Sequence, residues 1–573
     1  MNRARTCAPV RPFGSTLLAS HAVLRYGSVP RGEDRRRWRC RITSCRLALL
    51  LTVAFLIALL AACGSSKSTT QAPLLPDGTY VFHLAGEDYH PSTQNSSPFF
   101  VSGAFTVAGG VITQGEEDFA DYEGVASALP IQSLGSSISL TADGNLQIKL
   151  YTGVSGPVIL GVSGTQTINV SLVSSTSARI AEFDASAMGT GTMDLQSSPA
   201  APSGGYAFFV AGLDNNTFPL AVGGIVNVDG SGTISGNGSV FDLNDGQNTK
   251  NGLGVQTAQL FSPSTVSAPD SFGRVIFTLT PSNTSIGQIM LVGYEVNSAT
   301  IHLVEIRDGL LGAMGGTAFG QGSNTGNFSN NSISGFTYAA GARGGDAVGR
   351  AQLAGALAFN SDGSVTGQVS FNDLATQIAS GSIAAGATYS VDPTGRVTVS
   401  SLTATDPTSG KTYGPAAFQL YLDGSGDAPI VSMYTGDATG GIGFQQTAGA
   451  SLSGSYAISA IGAASVTNPT TGITSIYPWG AVGQASAGNG GLATGFTDLD
   501  VLANPQAAGT QTPAVSLAGA QNNTGYTIAG LGYASTANQY TYYVIDSNRG
   551  FAIETDAVQL SEAFAQASTG STK

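Results

Sequence analysis

The chain has 573 residues and a formal net charge of −13, from 36 acidic and 23 basic residues. That balance excludes a nucleic-acid partner, since a polyanion is repelled, and 42% hydrophobic residues exclude a disordered polar chain. All four cysteines, Cys7, Cys40, Cys45 and Cys63, lie within the first 63 residues, so the remainder has no disulfide framework.

The first element in chain order is the uncharged apolar run Leu47–Leu60, 14 residues long. A helix crossing the bilayer core needs about 20, so the run is too short to span. Arg-rich sequence (RRRWRCR) precedes it and small residues follow, the three parts of an export signal. The run ends in Leu60-Ala61-Ala62-Cys63, which resembles the lipobox of bacterial lipoproteins. The resemblance implies that residues 1–62 are removed, that Cys63 is diacylated, and that the chain reaches the membrane through a lipid anchor. Two or three acyl chains are enough for stable anchoring. Gly64 after the cysteine implies, by the same resemblance, transfer to the outer membrane of the cell envelope. Residues 63–76 read as a polar flexible tether. Residues 1–62 hold 11 Arg and two acidic residues, leaving 12 basic and 34 acidic residues beyond them, a net charge of −22.

Four copies of one pattern follow. They open at GTYVFHLAG from Gly78, GGYAFFVAG from Gly204, GFTYAAGA from Gly335 and GSYAISAIG from Gly454, at intervals of 126, 131 and 119 residues. A second shared block begins at Gly103, Gly223, Gly355 and Gly483, and the copies close near Gln196, Gln321, Gln445 and Gln566. Such a period is too long for a solenoid unit and fits a complete small domain. The predicted domains are 77–203, 204–334, 335–453 and 454–568, with a tail at 569–573. Within the first copy, eight short segments alternate apolar and polar residues, separated by hairpin chemistry such as Asp143-Gly144; Asp229-Gly230, Asp362-Gly363 and Asp423-Gly424 recur in the next copies. The expected fold is all-β: four tandem antiparallel β-domains, eight-stranded up-and-down barrels that leave no edge, with β-sandwiches as the alternative. With Gly-x-Tyr on the first strand the copies resemble calycin-type barrels. In the G-x-Y-x-F…DGxGxIxxG pattern they resemble Gly-rich tandem-repeat lipoproteins of Acidobacteria-like genomes, a likeness that brings no activity with it.

Chemistry was sought in four places. Beyond residue 62 the histidines are His83, His90 and His302; two lie in apolar strands, and there is no Gly-x-Ser-x-Gly elbow. SGKT at Ser409–Thr412 lacks the glycine and helix of a phosphate loop. GEEDFADYEG places Glu116, Glu117, Asp118, Asp121 and Glu123 in one expected loop, which reads as a solvated acidic loop; Ca²⁺ binding through these oxygens is the sharper reading. Asp242, Asp373 and Asp498, at the corresponding places in other copies, are expected to cap turns. Tyr540 and Tyr542 share one strand face and Tyr543 takes the other, while Trp479 beside Pro478 would suit ligand contact if exposed.

No catalytic, cofactor-binding or metal-ligating residue is assigned, and no cofactor. The reading is a non-enzymatic, lipid-anchored display of four β-domains with a structural, adhesive or ligand-binding role. Its partners are the membrane and a glycan, small apolar ligand or envelope component; the alternatives are a carrier using barrel interiors and a hydrolase with one active repeat. Cys63→Ser is expected to abolish labelling by a fatty-acid probe and to block processing. Retained label would refute the lipid assignment.

Overall fold

In the computed structural model the described residues are 74–569, apart from 91–94, 142–144, 155–160, 185, 251, 309–311, 468–471, 473, 489–490, 503–508, 512–513, 516–522 and 530–537. Cys63, the lipobox and Asp143-Gly144 lie outside them.

The first domain is a closed antiparallel barrel of eight strands: β1 (Gly78–His90), β2 (Asn95–Ala108), β3 (Val111–Ala120), β4 (Val125–Leu140), β5 (Leu146–Tyr151), β6 (Thr165–Leu172), β7 (Ser177–Phe183) and β8 (Ala187–Leu195). Each strand pairs with the next and β8 returns to β1. This is the up-and-down order that the hairpin turns predict, and a sandwich is excluded.

The second domain repeats the order with β9 (Gly204–Leu213), β10 (Pro219–Val228), β11 (Thr233–Ile234), β12 (Val240–Asp245), β13 (Gly254–Gln259), β14 (Ser264–Val266), β15 (Arg274–Leu279), β16 (Ile289–Asn297), β17 (Thr300–Asp308) and β18 (Ala313–Gly320). Its third and fourth strands are each broken in two, and the β10–β11 pairing closes an eight-stranded ring.

The third domain contains β19 (Thr337–Asp346), β20 (Arg350–Phe359), β21 (Val365–Asn372), β22 (Gln377–Ile383), β23 (Thr388–Val391), β24 (Arg396–Thr405), β25 (Thr412–Tyr421), β26 (Asp427–Ser432) and β27 (Asp437–Gln445), closed through β22–β24. The fourth is a sheet of the same order: β28 (Gly454–Thr467), β29 (Thr474–Gly488), β30 (Gly491–Val501), β31 (Gly509–Gln511), β32 (Ala514–Val515), β33 (Asn523–Ala529), β34 (Asn538–Val544), β35 (Arg549–Glu554) and β36 (Gln559–Ala567). SGKT forms the β24–β25 turn, where the Asp406 carboxylate accepts the Thr408 and Ser409 amides.

Alternation along each strand sends one set of side chains into the barrel and the other outward. Inside, the Tyr of every copy's opening is buried: Tyr80, Tyr206, Tyr338 and Tyr456. Three of these hydroxyls donate to backbone carbonyls, of Pro76 (3.0 Å), Ser298 (3.0 Å) and Ser547 (2.7 Å), which satisfies the polar end of a ring that is otherwise core. Around these rings lies the apolar core of each domain. The third keeps a cavity of about 20 Å³ among Ala340, Leu353, Leu357, Val369, Phe418 and Ile430, room for one water.

Outside, each domain rests strands 2 and 3 on strands 6 to 8 of the next. Val81, Phe100 and Ala104 meet Val292, Tyr294 and Val304; Ala221, Ile225 and Val240 meet Tyr421, Val431 and Met433; Ala354 and Ala356 meet Tyr543, Phe551 and Ile553. Residues Pro73–Lys573 consequently form one compact unit.

Strand 3 clasps each neighbour at an equivalent point. Asp118 takes a two-pronged ion pair from Arg274 (2.7 and 2.8 Å) and a bond from the Tyr294 hydroxyl (2.7 Å). Asp242 does the same with Arg396 (both 2.7 Å) and Tyr421 (2.8 Å). In the third domain Ser370 replaces the Asp and bonds the Tyr543 hydroxyl at 2.8 Å. Two residues on, Asn244 and Asn372 each donate to three backbone carbonyls of the next domain's last hairpin.

The fourth domain clasps the first. Asp498 accepts from Asn145 (2.9 and 3.0 Å) and Asn169 (3.0 Å), and Ser171 donates to the Gly483 carbonyl (2.6 Å). Where Gln196 and Gln321 leave one domain and bond carbonyls of the next, Ser568 bonds the Leu172 carbonyl of the first. The four contacts therefore close a ring, and Arg350 of the third domain crosses it to pair with Glu87 of the first.

Several expectations are corrected here. Glu116–Asp118 lie in β3 rather than in a loop, and only Asp121–Gly124 form the turn. Asp242 and Asp498 reach other domains instead of capping turns, because they point out of their barrels onto a neighbour; Asp373 does cap one, accepting from Ala375 at 2.8 Å. Gln445 ends β27 as expected; the next residue, Gln446, bonds the Val544 carbonyl of the following domain, and Gln566 meets Arg179 of the first.

Arg274→Ala should cost about 3–5 kcal/mol of stability, because it strands the fully buried Asp118 carboxylate between two domains. Equilibrium urea unfolding measures this. A loss under about 1 kcal/mol, the level of a surface pair, would contradict the assignment.

Candidate functional site

One end of the first three domains gathers carboxyl groups. The Asp eight residues after the strand-1 tyrosine (Asp88, Asp214, Asp346) shares a side-chain hydrogen bond with the Asp just beyond or ending strand 3 (Asp121, Asp245, Asp373). Most also cap their own turns: Asp214 accepts from the Asn216 and Phe218 amides at 2.8 Å, and Asp346 from Val348 at 2.8 Å and Gly349 at 3.0 Å. Two carboxyls in contact hold a proton between them. Burial, with the partner's charge adding, pushes Asp88 up to about 8 and Asp346 up to about 6, and burial pushes Asp245 up to about 6. In the fourth domain the equivalent positions are the apolar Ala464 and Val501.

The first lumen carries more. Glu182 lies two residues after the core residue Ile180 on β7, and Glu117 two before Phe119 on β3, so both face inward. They are 2% and 0% exposed; neither oxygen of Glu117 has a hydrogen-bond partner, and Glu182 meets only the carboxyl of Asp184. Gln166, two before Ile168 on β6, is 3% exposed with its Oε1 also unpaired. Burial pushes Glu117 up to about 8, with Asp118 adding. Burial holds Glu182 well above the carboxylate range, helped by the charges of Asp184 and Glu117. The corresponding Glu554 of the fourth domain is buried too, but there Gln559 (2.8 Å) and Ser561 (2.7 Å) donate to it. Among the described side chains facing the first lumen, none is cationic.

The other candidates fall into structural places. His83 and His302 stack face to face at 5.2 Å between the first two domains, which neither strand suggested alone. His83 bonds Ser102 at 2.8 Å, but Ser102 is wholly buried and out of substrate reach. Burial keeps both rings neutral, pushing His302 down to about 4. The side chain of His90 is outside the described residues. Trp479 is 0% exposed inside the fourth domain's core, so the exposure that ligand contact would require is absent: it sits within β29, where Pro478 does not end the strand. Tyr540 and Tyr542 face that core and Tyr543 faces the third domain, so none is free for sugar stacking. Among the described residues no three of His, Cys, Asp and Glu come together in a way that could hold a metal ion, including at the acidic stretch weighed for Ca²⁺.

The carboxyl pairs went unnoticed in the sequence, although the signal was present: Asp follows the opening Tyr by eight residues in three of the four copies. Glu117 and Glu182 carried no such mark.

No protein-family model matches the chain, and no curated protein does. Among solved structures it is similar to a putative AttH from Nitrosomonas europaea, at 11% identity and a TM-score of 0.17 over 42% of this chain and 92% of that one. It is similar to Transferrin Binding Protein B from Haemophilus parasuis at 8% identity and a TM-score of 0.17, over 65% and 76% of the two chains. For kievitone hydratase from Nectria haematococca the values are 12%, 0.15, 43% and 90%. Scores this low carry no functional argument, and the fold stands on the strand order above.

Stability should fall as pH rises from 6.5 to 8.5. The raised carboxyls keep protons in the folded chain that the unfolded chain has already lost near pH 4, so the folded state binds more protons across this window. The two lowered histidines oppose this only at the lower end of the window, where the unfolded imidazoles, of ordinary pKa about 6.5, are still partly protonated while the folded rings are neutral. Urea midpoints at the two pH values measure the effect, and Glu182→Gln should flatten it and raise the midpoint at pH 8.5. A midpoint that rises with pH would contradict the buried acids.

Proposed function

We propose that the chain is a lipid-anchored cell-envelope protein whose four β-domains act as one non-enzymatic binding body, fixed to the outer membrane through Cys63. The observation that supports this most is the closed set of clasps, ending in the Ser568 bond to the first domain, together with an apolar cluster of side chains inside each domain. A chain built to flex between separate modules has no use for buried ion pairs at its first two junctions and buried hydrogen bonds at the other two. An apolar ligand carrier needs an open interior of about 300 Å³ or more, and the 20 Å³ cavity of the third domain offers far less. What remains for a large partner is the outer surface, and a glycan or envelope component fits a body rich in polar uncharged side chains.

Glycan and envelope-lipid arrays probed with the chain from Gly64 onward test this reading. Saturable retention of a glycan or envelope lipid is expected. Turnover of an arrayed compound would contradict a non-enzymatic role.

A further inference from the structure

We propose that the acidic end of the first domain's lumen, lined by Asp88, Glu117, Asp121, Gln166 and Glu182, binds an organic ammonium ligand of the diamine or polyamine class. The inference is independent of the lipid anchor and of the outer-surface partner.

The case starts from what is missing. Glu117, Glu182 and Gln166 are each at least nine-tenths buried, face the same lumen from three strands, and leave five acceptor oxygens with no N–H or alcohol O–H donor. A buried acceptor left unpaired costs about 1–3 kcal/mol, more when charged. The fold has a way of meeting this need and does not use it here: at the same strand-7 position, Glu554 is served by Gln559 and Ser561. No donor of this kind serves Glu182.

The chemistry of the acceptors selects the ligand. All are oxygens, so an anion is excluded, and an apolar molecule would leave them unpaired. A hard divalent ion fits oxygen donors, but Ca²⁺ needs six to eight of them at about 2.3–2.6 Å. No three acidic groups among the described residues come together in a way that could hold such an ion. Carboxyls set apart on β1, β3 and β7 instead match a cation whose charges are themselves set apart. Each primary ammonium brings three N–H donors, enough to serve a carboxylate and a neighbouring amide oxygen.

Calorimetric titration of spermidine and putrescine into the chain from Gly64 onward, at pH 8 and about 0.5 M NaCl to screen surface charge, tests the proposal. One saturable site is expected, weakened on the order of 100-fold in the Glu117→Gln, Glu182→Gln double variant, as for loss of buried charge partners. The variant should unfold at a higher urea concentration than the parent at pH 8 in the absence of amine, which shows that lost binding is not lost folding. Absence of a saturable site, binding unchanged in the variant, or saturable binding of CaCl₂ in place of the amines would each overturn the proposal.

Discussion

A carboxylate cannot be buried alone, and the architecture turns on where Asp118 and Asp242 find their partners. Each points out of its own barrel, is wholly buried, and has its charge met by an Arg from the next domain, where a Tyr hydroxyl also donates to it. Because burying the charge without its Arg is so costly, the interface exists in one register. The apolar contacts around it supply cohesion, while the ion pair specifies the alignment. A ring follows from repetition: an interface that joins strands 2 and 3 of one copy to strands 6 to 8 of the next is head-to-tail, and four such steps return to the start. The closing step is built differently, from Asn amides on Asp498, Arg179 stacked 4.2 Å over Phe564, and backbone contacts, with less apolar surface than the other three.

Much of the fold was legible. Alternation of period two, recurring hairpin turns and the internal repeat led to eight sequential strands per copy, and the residues in each domain's core cluster are those the alternation marks as apolar. The same alternation is silent about what an outward residue meets. The turn caps that the sequence suggests at Asp242 and Asp498 therefore give way to contacts with neighbouring barrels. Asp373 shows that the turn-capping reading was chemically sound; it failed wherever a second domain competed for the carboxylate.

The acidic lumen stands apart from this economy of matched partners. Many buried polar groups are met in kind: Asn244 by three carbonyls, Glu554 by two donors, His83 by Ser102. In the first domain several inward acceptors coincide without a described cation. Sites of function are where a sequence is expected to break its own local rules. Paired carboxyls recur in three domains as turn closures, and the first has added Glu117 and Gln166 to that frame.

The central claim is that the fourth domain is held against the first. The chain from Gly64 onward contains no cysteine, so spin labels can be placed cleanly on Ser175→Cys and Asn548→Cys, two exposed positions on either side of the Val173–Thr569 bond. Electron-electron dipolar spectroscopy should return a single narrow, short distance. A broad distribution reaching the lengths of four domains strung end to end would contradict the closed body.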